Sequence, residues 1–301
     1  MLVRIFYVAA MFITIDRYTS WGFLLSRTTL ELIWPIWWID LTGIPVGVSV
    51  VLVLSVLGPM WAAVCPTYRP ARLLAAIGLL MMGSLWNSFG QATHGWHHWI
   101  STAFLFVLLP DGVVDPSASS LTRREWYLRV FRFAQGYILF CYSLAGSVKV
   151  LAGVLQAGRG EVSLFHPDAM VYQVTARLFE GIHTSVPQVY NVLLSYPRLM
   201  WLSLLCVVFI ELTAALVAFR PSLYRTWGTI LILFHVASYL LMTIMFSWQC
   251  LILGLMLVCS PFSNSTPGRS MVGSVVRAFP VIGDASCWYR RWQARKVETL
   301  V

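Results

Sequence analysis

Long apolar stretches, separated by short polar connections, dominate the hydrophobic pattern of the chain. A helix needs about 20 mostly apolar residues to cross the hydrocarbon core of a bilayer. The pattern therefore predicts an all-α polytopic membrane helix bundle with about eight transmembrane helices plus interfacial helices. The predicted membrane segments are residues 2–16, 43–64, 72–89, 97–110, 132–156, 199–219, 227–245 and 248–261.

Two connections and one tail complete this plan. Residues 17–42 are rich in tryptophan, and in residues 157–198 the apolar positions after Pro167 have helical spacing, so both predict helices lying at the membrane surface. From residue 263 onwards Ser, Pro, Gly and Arg replace the apolar residues. We therefore predict a transmembrane domain over residues 1–262 and a basic cytoplasmic tail over residues 263–301.

The composition agrees with a membrane protein. Hydrophobic residues make up 58% of the chain and charged residues 11%, and the mean hydropathy is +0.74, far above that of an average soluble domain. The net charge of +9 is spread over connections and tail. We therefore expect membrane lipids as partners and no nucleic acid.

The basic residues also predict an orientation. If both termini are cytoplasmic, 15 of the 21 Lys and Arg residues fall inside and 5 outside, with Lys149 within the membrane. This asymmetry follows the positive-inside rule. We expect an integral protein of a bacterial cytoplasmic membrane, the bacterial source being indicated by the large excess of arginine over lysine.

Lys149 is the one lysine that the predicted membrane segments contain. It lies within the apolar run from Tyr137 to Leu155. A cation there costs about 2.5 kcal/mol or more unless protein or water solvates it, so such residues are functional candidates. Small residues on the same helical face, such as Gly146, allow a helix or a ligand close to the amine. A structural ion pair, or an amine that reaches the membrane surface, is the alternative.

Two further polar residues lie inside apolar segments. Glu211 is the acid well within such a segment, and its expected partner is Lys149 or His235. His235 shares its helix face with Tyr239. For both residues, a structural hydrogen bond and a role in proton transfer or ligand contact remain open.

The histidines His94, His97 and His98 are close enough in the chain to raise the question of a metal. No carboxylate or cysteine accompanies them nearby, so we expect no metal. A pair such as His98 and His235 is compatible with axial ligation of a haem, which makes a haem-binding membrane oxidoreductase one alternative.

The run Tyr142-Ser-Leu-Ala-Gly-Ser-Val-Lys149, followed by Gly153 and Gly158, resembles the Y-x-x-A-G-x-x-K signature of the vitamin K-dependent γ-carboxylase-like, or HTTM, family of membrane proteins. The histidine-led segment from His97 and the segments of Glu211 and His235 occur in the order of that family's pattern. The matching region covers roughly residues 60–262.

The resemblance implies a quinol-dependent enzyme of carboxylase or oxygenase type, with a reduced quinone such as menaquinone as cofactor. Lys149 is then the base that deprotonates the quinol, His98 the orienting or oxyanion-binding group, and Glu211 and His235 its proton or hydrogen-bond partners. The residues expected to contact the quinone are His97, Tyr142, Gly146 and Tyr239.

The chain also departs from the carboxylase pattern. It has a single lysine where animal carboxylases have a lysine pair, and its 301 residues contain no large soluble domain. A second hypothesis is therefore a non-catalytic membrane subunit, or a maturation or export factor for a secreted peptide. The expected partners under these hypotheses are a secreted peptide or protein substrate and other membrane-complex subunits.

Overall fold

The structure of the protein is a computed structural model that describes residues 1–19, 31–88, 94–112, 121–180, 195–242 and 244–260. These residues form helices and connections, with no β-strand among them. The helices, in chain order, are α1 Leu2–Thr19, α2 Ile39–Thr42, α3 Ile44–Val64, α4 Arg69–Asn87, α5 His97–Val107, α6 Leu121–Gly158, α7 Ala169–Glu180, α8 Pro197–Ala218, α9 Tyr224–Met242 and α10 Ser247–Leu253.

Shorter helical turns accompany these elements. A 3₁₀ turn, His94–Trp96, precedes α5, and a second one, Pro221–Leu223, precedes α9. The turn after α10, Gly254–Val258, is π-helical. The all-helical class predicted from the sequence is thus confirmed for the described residues.

Among the described residues, four helical stretches are long and apolar enough to cross a membrane: Ile44–Val64, Glu125–Gly158, Pro197–Ala218 and Pro221–Met242. The other four predicted segments are also helical. Of these, α1 and α4 are 18 and 19 residues long, whereas α5 has 11 residues and α10 has 7. The structure therefore supports a membrane protein with four clear candidate spans, and the count of eight stays a prediction.

The chain divides into two compact units. The first unit comprises Met1–Ile138 and Phe246–Leu255, and the second comprises Leu139–Met245 and Met256–Val301. Helix α6 contributes its first half to the first unit and its second half to the second. The predicted division at residue 262 falls where the described residues end, so the tail 263–301 lies outside them.

The first unit is built on close helix packing and an aromatic cluster. A Cβ atom on Gly78 would lie 2.6 Å from the carbonyl oxygen of Leu54, so the missing side chain lets α3 and α4 pack backbone to backbone. Phe6 stacks on Trp99 at 5.1 Å and meets the edge of Phe106 at 5.0 Å. Such aromatic pairs add about 0.5–1.5 kcal/mol each beyond the area they bury.

The second unit contains the second half of α6 together with α7, α8 and α9. The amphipathic helix predicted after Pro167 is present as α7, and its buried Ala169, Met170 and Val174 pack against Met200 and other apolar residues of α8. Every candidate site residue from Tyr142 to Tyr239 lies in this unit.

Candidate functional site

The site is organised by one stripe on the second half of α6. Tyr142, Gly146, Lys149 and Gly153 follow one another at intervals of three or four residues, so they lie on one face of the helix. Tyr142, Gly146 and Gly153 are buried. Along the stripe, two polar side chains thus alternate with two glycines at which a neighbouring segment can approach closely.

At Gly146, α6 and α8 approach each other closely. A Cβ atom there would lie 2.8 Å from the backbone nitrogen of Leu212 and 2.9 Å from the Cβ atom of Glu211. Only a residue without a side chain fits this distance, so Gly146 brings the backbone of α6 against the residue that carries the carboxylate. The predicted close contact at Gly146 is therefore made by a helix.

The geometry of this crossing joins Lys149 to Glu211. The Nζ atom of Lys149 donates to both carboxylate oxygens, at 2.5 Å to Oε1 and 2.6 Å to Oε2. Of the two partners proposed for Glu211 from the sequence, the structure selects Lys149. A pair with two charge-assisted hydrogen bonds satisfies both groups in a segment where either charge alone is costly.

The two members of the pair differ in exposure. The Glu211 side chain is 4% exposed, whereas the Lys149 side chain is 42% exposed. Glu211 lies in the middle of the buried face of α8, between Val208 and Ala214. The carboxylate is thus fixed by packing, and the amine is the member that a ligand can reach.

Ser143 ties the same two helices together beside the ion pair. Its hydroxyl lies 3.0 Å from the carbonyl oxygen of Glu211 and 2.8 Å from that of Leu212, and it accepts the N–H of Ala215 at 2.7 Å. The Glu211 carbonyl and the Ala215 N–H are the groups that a regular helix bonds to each other. Ser143 therefore fixes the backbone of α8 at the residue that carries the carboxylate.

A second polar contact lies on the same stripe. The hydroxyl oxygen of Tyr142 is 2.6 Å from Nε2 of His235, and both residues are buried. His235 belongs to the buried face of α9, with Leu231 one turn before it and Ser238 one turn after it. The imidazole is therefore held in one orientation by a phenol on α6.

Phe234 lies between the two polar contacts. The Lys149 Nζ atom is 5.8 Å from the centre of the Phe234 ring, within the distance of a cation–π contact. The same ring is 4.9 Å from the imidazole of its neighbour, His235. Lys149, Glu211, Tyr142 and His235 thus form one site, which we call the lysine site.

The chain matches no protein-family model, no curated protein and no solved structure. The function of the lysine site is therefore argued from its own chemistry, and the resemblance to the γ-carboxylase-like family remains an expectation.

The remaining predicted residues do not join this geometry within the second unit. His97 is exposed and His98 is half-buried at the start of α5, in the first unit. Tyr239 lies in the second unit but is 49% exposed. Their expected contacts with a quinone, and the alternative of haem ligation by His98 and His235, stay predictions.

No group of three His, Cys, Asp or Glu side chains in the described part of the chain is close enough to hold a metal ion. The side chain of His94 is outside the described residues. The expectation that the protein binds no metal stays a prediction.

Sequence reasoning missed two contacts of the lysine site. The sequence predicts no contact for Ser143 beyond its place in the motif, although its hydroxyl faces the helix crossing one turn before Gly146. The hydrogen bond between Tyr142 and His235 was also not foreseen. Buried polar groups on apolar helices require hydrogen-bond partners. Tyr142 and His235 are both such groups, so the sequence makes each a candidate partner of the other.

Proposed function

We propose that the protein is an integral membrane protein in which the Lys149–Glu211 pair exchanges a proton with an acidic hydroxyl group of a lipid-soluble substrate. A reduced quinone is the substrate class that the resemblance implies. The observation that carries the proposal is the unequal exposure of the pair, 42% for Lys149 and 4% for Glu211. This difference leaves the Lys149 amine accessible to a ligand, while the Glu211 carboxylate stays buried.

The proton exchange proposed for this pair conserves the number of charges in a medium of low polarity. The substrate hydroxyl gives its proton to Lys149 as Lys149 gives one of its own to Glu211. The substrate becomes an oxyanion, Glu211 becomes a neutral carboxyl group, and Lys149 stays an ammonium ion. The number of charges does not change, so the exchange creates no additional charge within the membrane.

Lys149 has a different role in this exchange from the one that the family resemblance implies. A lysine that starts as the neutral base would leave the Glu211 carboxylate as an unbalanced charge within the membrane. In the proposed exchange Lys149 relays the proton and then stabilises the oxyanion, so Glu211 is the final acceptor. Tyr142 and His235 are proposed to position α6 and α9 around the substrate side of the amine.

The test measures ionisation of a bound quinol. The purified protein is mixed under argon with reduced 2-methyl-1,4-naphthoquinone, and the absorbance of the quinolate is followed as a function of pH. An ammonium ion in contact with the oxyanion is expected to lower the pH at which the bound quinol ionises by about 1–3 pH units. Lys149→Met is expected to abolish the effect.

Arg129→Met is the matched control for this test. Arg129 lies on the same helix and pairs with Glu125 at 3.4 Å, but both side chains are largely exposed. The substitution removes a cation from α6 outside the lysine site. The pH at which the bound quinol ionises should therefore be lowered as much as in the wild type. A quinol that ionises at the same pH with the wild-type protein and with Lys149→Met contradicts the proposal.

A second candidate function has its own supporting observation. The contact of Nζ with both oxygens of Glu211 also fits a pair that only holds two helices together, as expected in a non-catalytic membrane subunit or maturation factor. Under that function the wild-type protein leaves the ionisation of the quinol unchanged, and the pair contributes only to stability.

A further inference from the structure

A cleft in the first unit combines one cation with several indole rings. It opens to solvent and is lined by Arg17 of α1, Gly95 and Trp96 before α5, Trp99 of α5, and Trp248 and Gln249 of α10. None of these residues belongs to the lysine site. The cleft is therefore a separate candidate for binding.

Its walls are fixed by contacts between the three helices. The indole N–H of Trp99 donates to the backbone oxygen of Trp248 at 3.2 Å, and the indole N–H of Trp248 donates to Asp16 at 3.3 Å. A Cβ atom on Gly95 would lie 2.7 Å from Nε2 of Gln249. The absence of a side chain at Gly95 thus leaves room for the Gln249 amide at the rim of the cleft.

Arg17 supplies the charge of the cleft. Its guanidinium lies 4.8 Å above the centre of the Trp86 ring, which holds the planar group in one orientation. No carboxylate of the described residues lies within ion-pair distance of it. A planar guanidinium in a fixed orientation is suited to two parallel hydrogen bonds to a phosphate.

The chemistry around Arg17 narrows the choice of anion. Asp16 precedes it in the chain, so the local charge suits a singly charged phosphodiester better than a doubly charged phosphomonoester. Indole rings are enriched at the level of lipid headgroups, and apolar Ile13, one turn below Arg17 on α1, continues the lining towards the helix centre. A phosphodiester attached to apolar chains fits the local charge, the indole rings and the apolar lining at Ile13.

We propose that this cleft binds the phosphodiester headgroup of a membrane phospholipid, with Arg17 contacting the phosphate and the Gln249 amide a second headgroup oxygen. The tryptophans pack against the glycerol region. The site does not depend on the function proposed for the lysine site.

The test measures lipid binding by the full chain in detergent micelles, using native mass spectrometry. The probes are dioleoylphosphatidylglycerol, dioleoylglycerol, which has the same chains without phosphate, and inorganic phosphate. The wild-type protein should retain phosphatidylglycerol in preference to the other two. Arg17→Gln should weaken its retention about tenfold or more, because a charge-assisted hydrogen bond is lost.

Two further variants keep the result interpretable. Arg4→Gln, at the opposite end of α1 and exposed, should bind the lipid as the wild type does. Gln249→Leu leaves every charge in place, removes the amide proposed to contact the headgroup and should also weaken retention, so it decides the question if Arg17→Gln does not fold. Equal retention of dioleoylglycerol, equal binding of inorganic phosphate, or equal losses in Arg17→Gln and Arg4→Gln would each overturn the proposal.

Discussion

At the residue scale, the two charged side chains of the lysine site differ in how accessible they are. Glu211 is buried within α8, whereas Lys149 reaches out from α6 and keeps part of its amine accessible. The two groups are 62 residues apart in the chain and depend on each other in a medium that tolerates neither charge alone. The pair is therefore expected to influence stability as well as chemistry.

The stability of three variants tests this dependence. Lys149→Met should lower the free energy of unfolding by about 3 kcal/mol, the lower end of the cost of breaking a buried pair, because Lys149 is half-exposed. Glu211→Gln should cost less, since the amide oxygen still accepts a hydrogen bond from Lys149. The double variant should recover most of the loss, because no buried charge remains without its partner.

Thermal unfolding in one detergent measures all three variants. The Arg129→Met and Glu125→Gln pair, exposed on the same helix, is the control and should change stability by less than about 0.5 kcal/mol. Strictly additive losses in the Lys149 and Glu211 variants would mean that the two residues are not coupled.

Single residues were predicted from the sequence more reliably than their partners. Lys149, Glu211 and His235 are conspicuous because they interrupt apolar runs, but the choice between Lys149 and His235 as partner of Glu211 depends on the rotation of separate helices. Arg72 shows the same limit. It is one of the 15 basic residues that the orientation places on the inside, yet it is fully buried and donates to the carbonyl oxygens of Pro66 and Leu109 and to Asp111.

At the element scale, the crossing of α6 and α8 decides whether the pair forms. Gly146 allows the two backbones to meet, and Ser143 then bonds to the backbone of α8 on either side of Glu211. The stripe of small residues predicted this close approach, although it left open whether a helix or a ligand fills the space. The sequence predicts two further small residues near this face, Ala145 and Ala152, but both are exposed.

Gly146→Ala tests the crossing. The new Cβ atom would lie 2.8 Å from the Leu212 nitrogen, and because backbone atoms cannot rotate away as a side chain does, the helices must separate. We expect a loss of about 1–3 kcal/mol, as for other cases of overpacking.

Gly158→Ala is the matched control on the same helix. Nothing lies within 4 Å of its added Cβ atom, so it should be neutral or slightly stabilising, by up to about 1 kcal/mol. Equal melting temperatures for the two variants, measured side by side, would show that α6 and α8 do not touch at Gly146.

At the scale of the whole molecule, hydropathy predicted helices but not how many of them cross the membrane. All eight predicted segments contain helix, yet four meet the requirements of length and apolar character. Helix α4 carries Arg72 on its buried face, and α5 is too short for a standard span. A hydropathy pattern averages over many residues, so it shows neither that a helix is short nor that a polar residue is buried.

Topology reporters test the predicted orientation. The distribution of basic residues predicts cytoplasmic termini, so a fluorescent reporter fused after Val301 should fluoresce and a phosphatase reporter at the same place should be inactive. The same phosphatase fused after Gly160, in the predicted outer connection, should be active and serves as the control. Phosphatase activity after Val301 would reverse the assigned orientation.

In the proposed function the Lys149–Glu211 pair exchanges a proton with a bound hydroxyl group and does not only join two helices. The most direct measurement is the pH at which bound reduced 2-methyl-1,4-naphthoquinone ionises with the Lys149→Met, Glu211→Gln double variant, whose fold is expected to be restored. We predict that this folded protein leaves the ionisation of the quinol where it is in detergent alone, while the wild type lowers the pH of ionisation by about 1–3 pH units. A double variant that lowers it as much as the wild type would contradict the account.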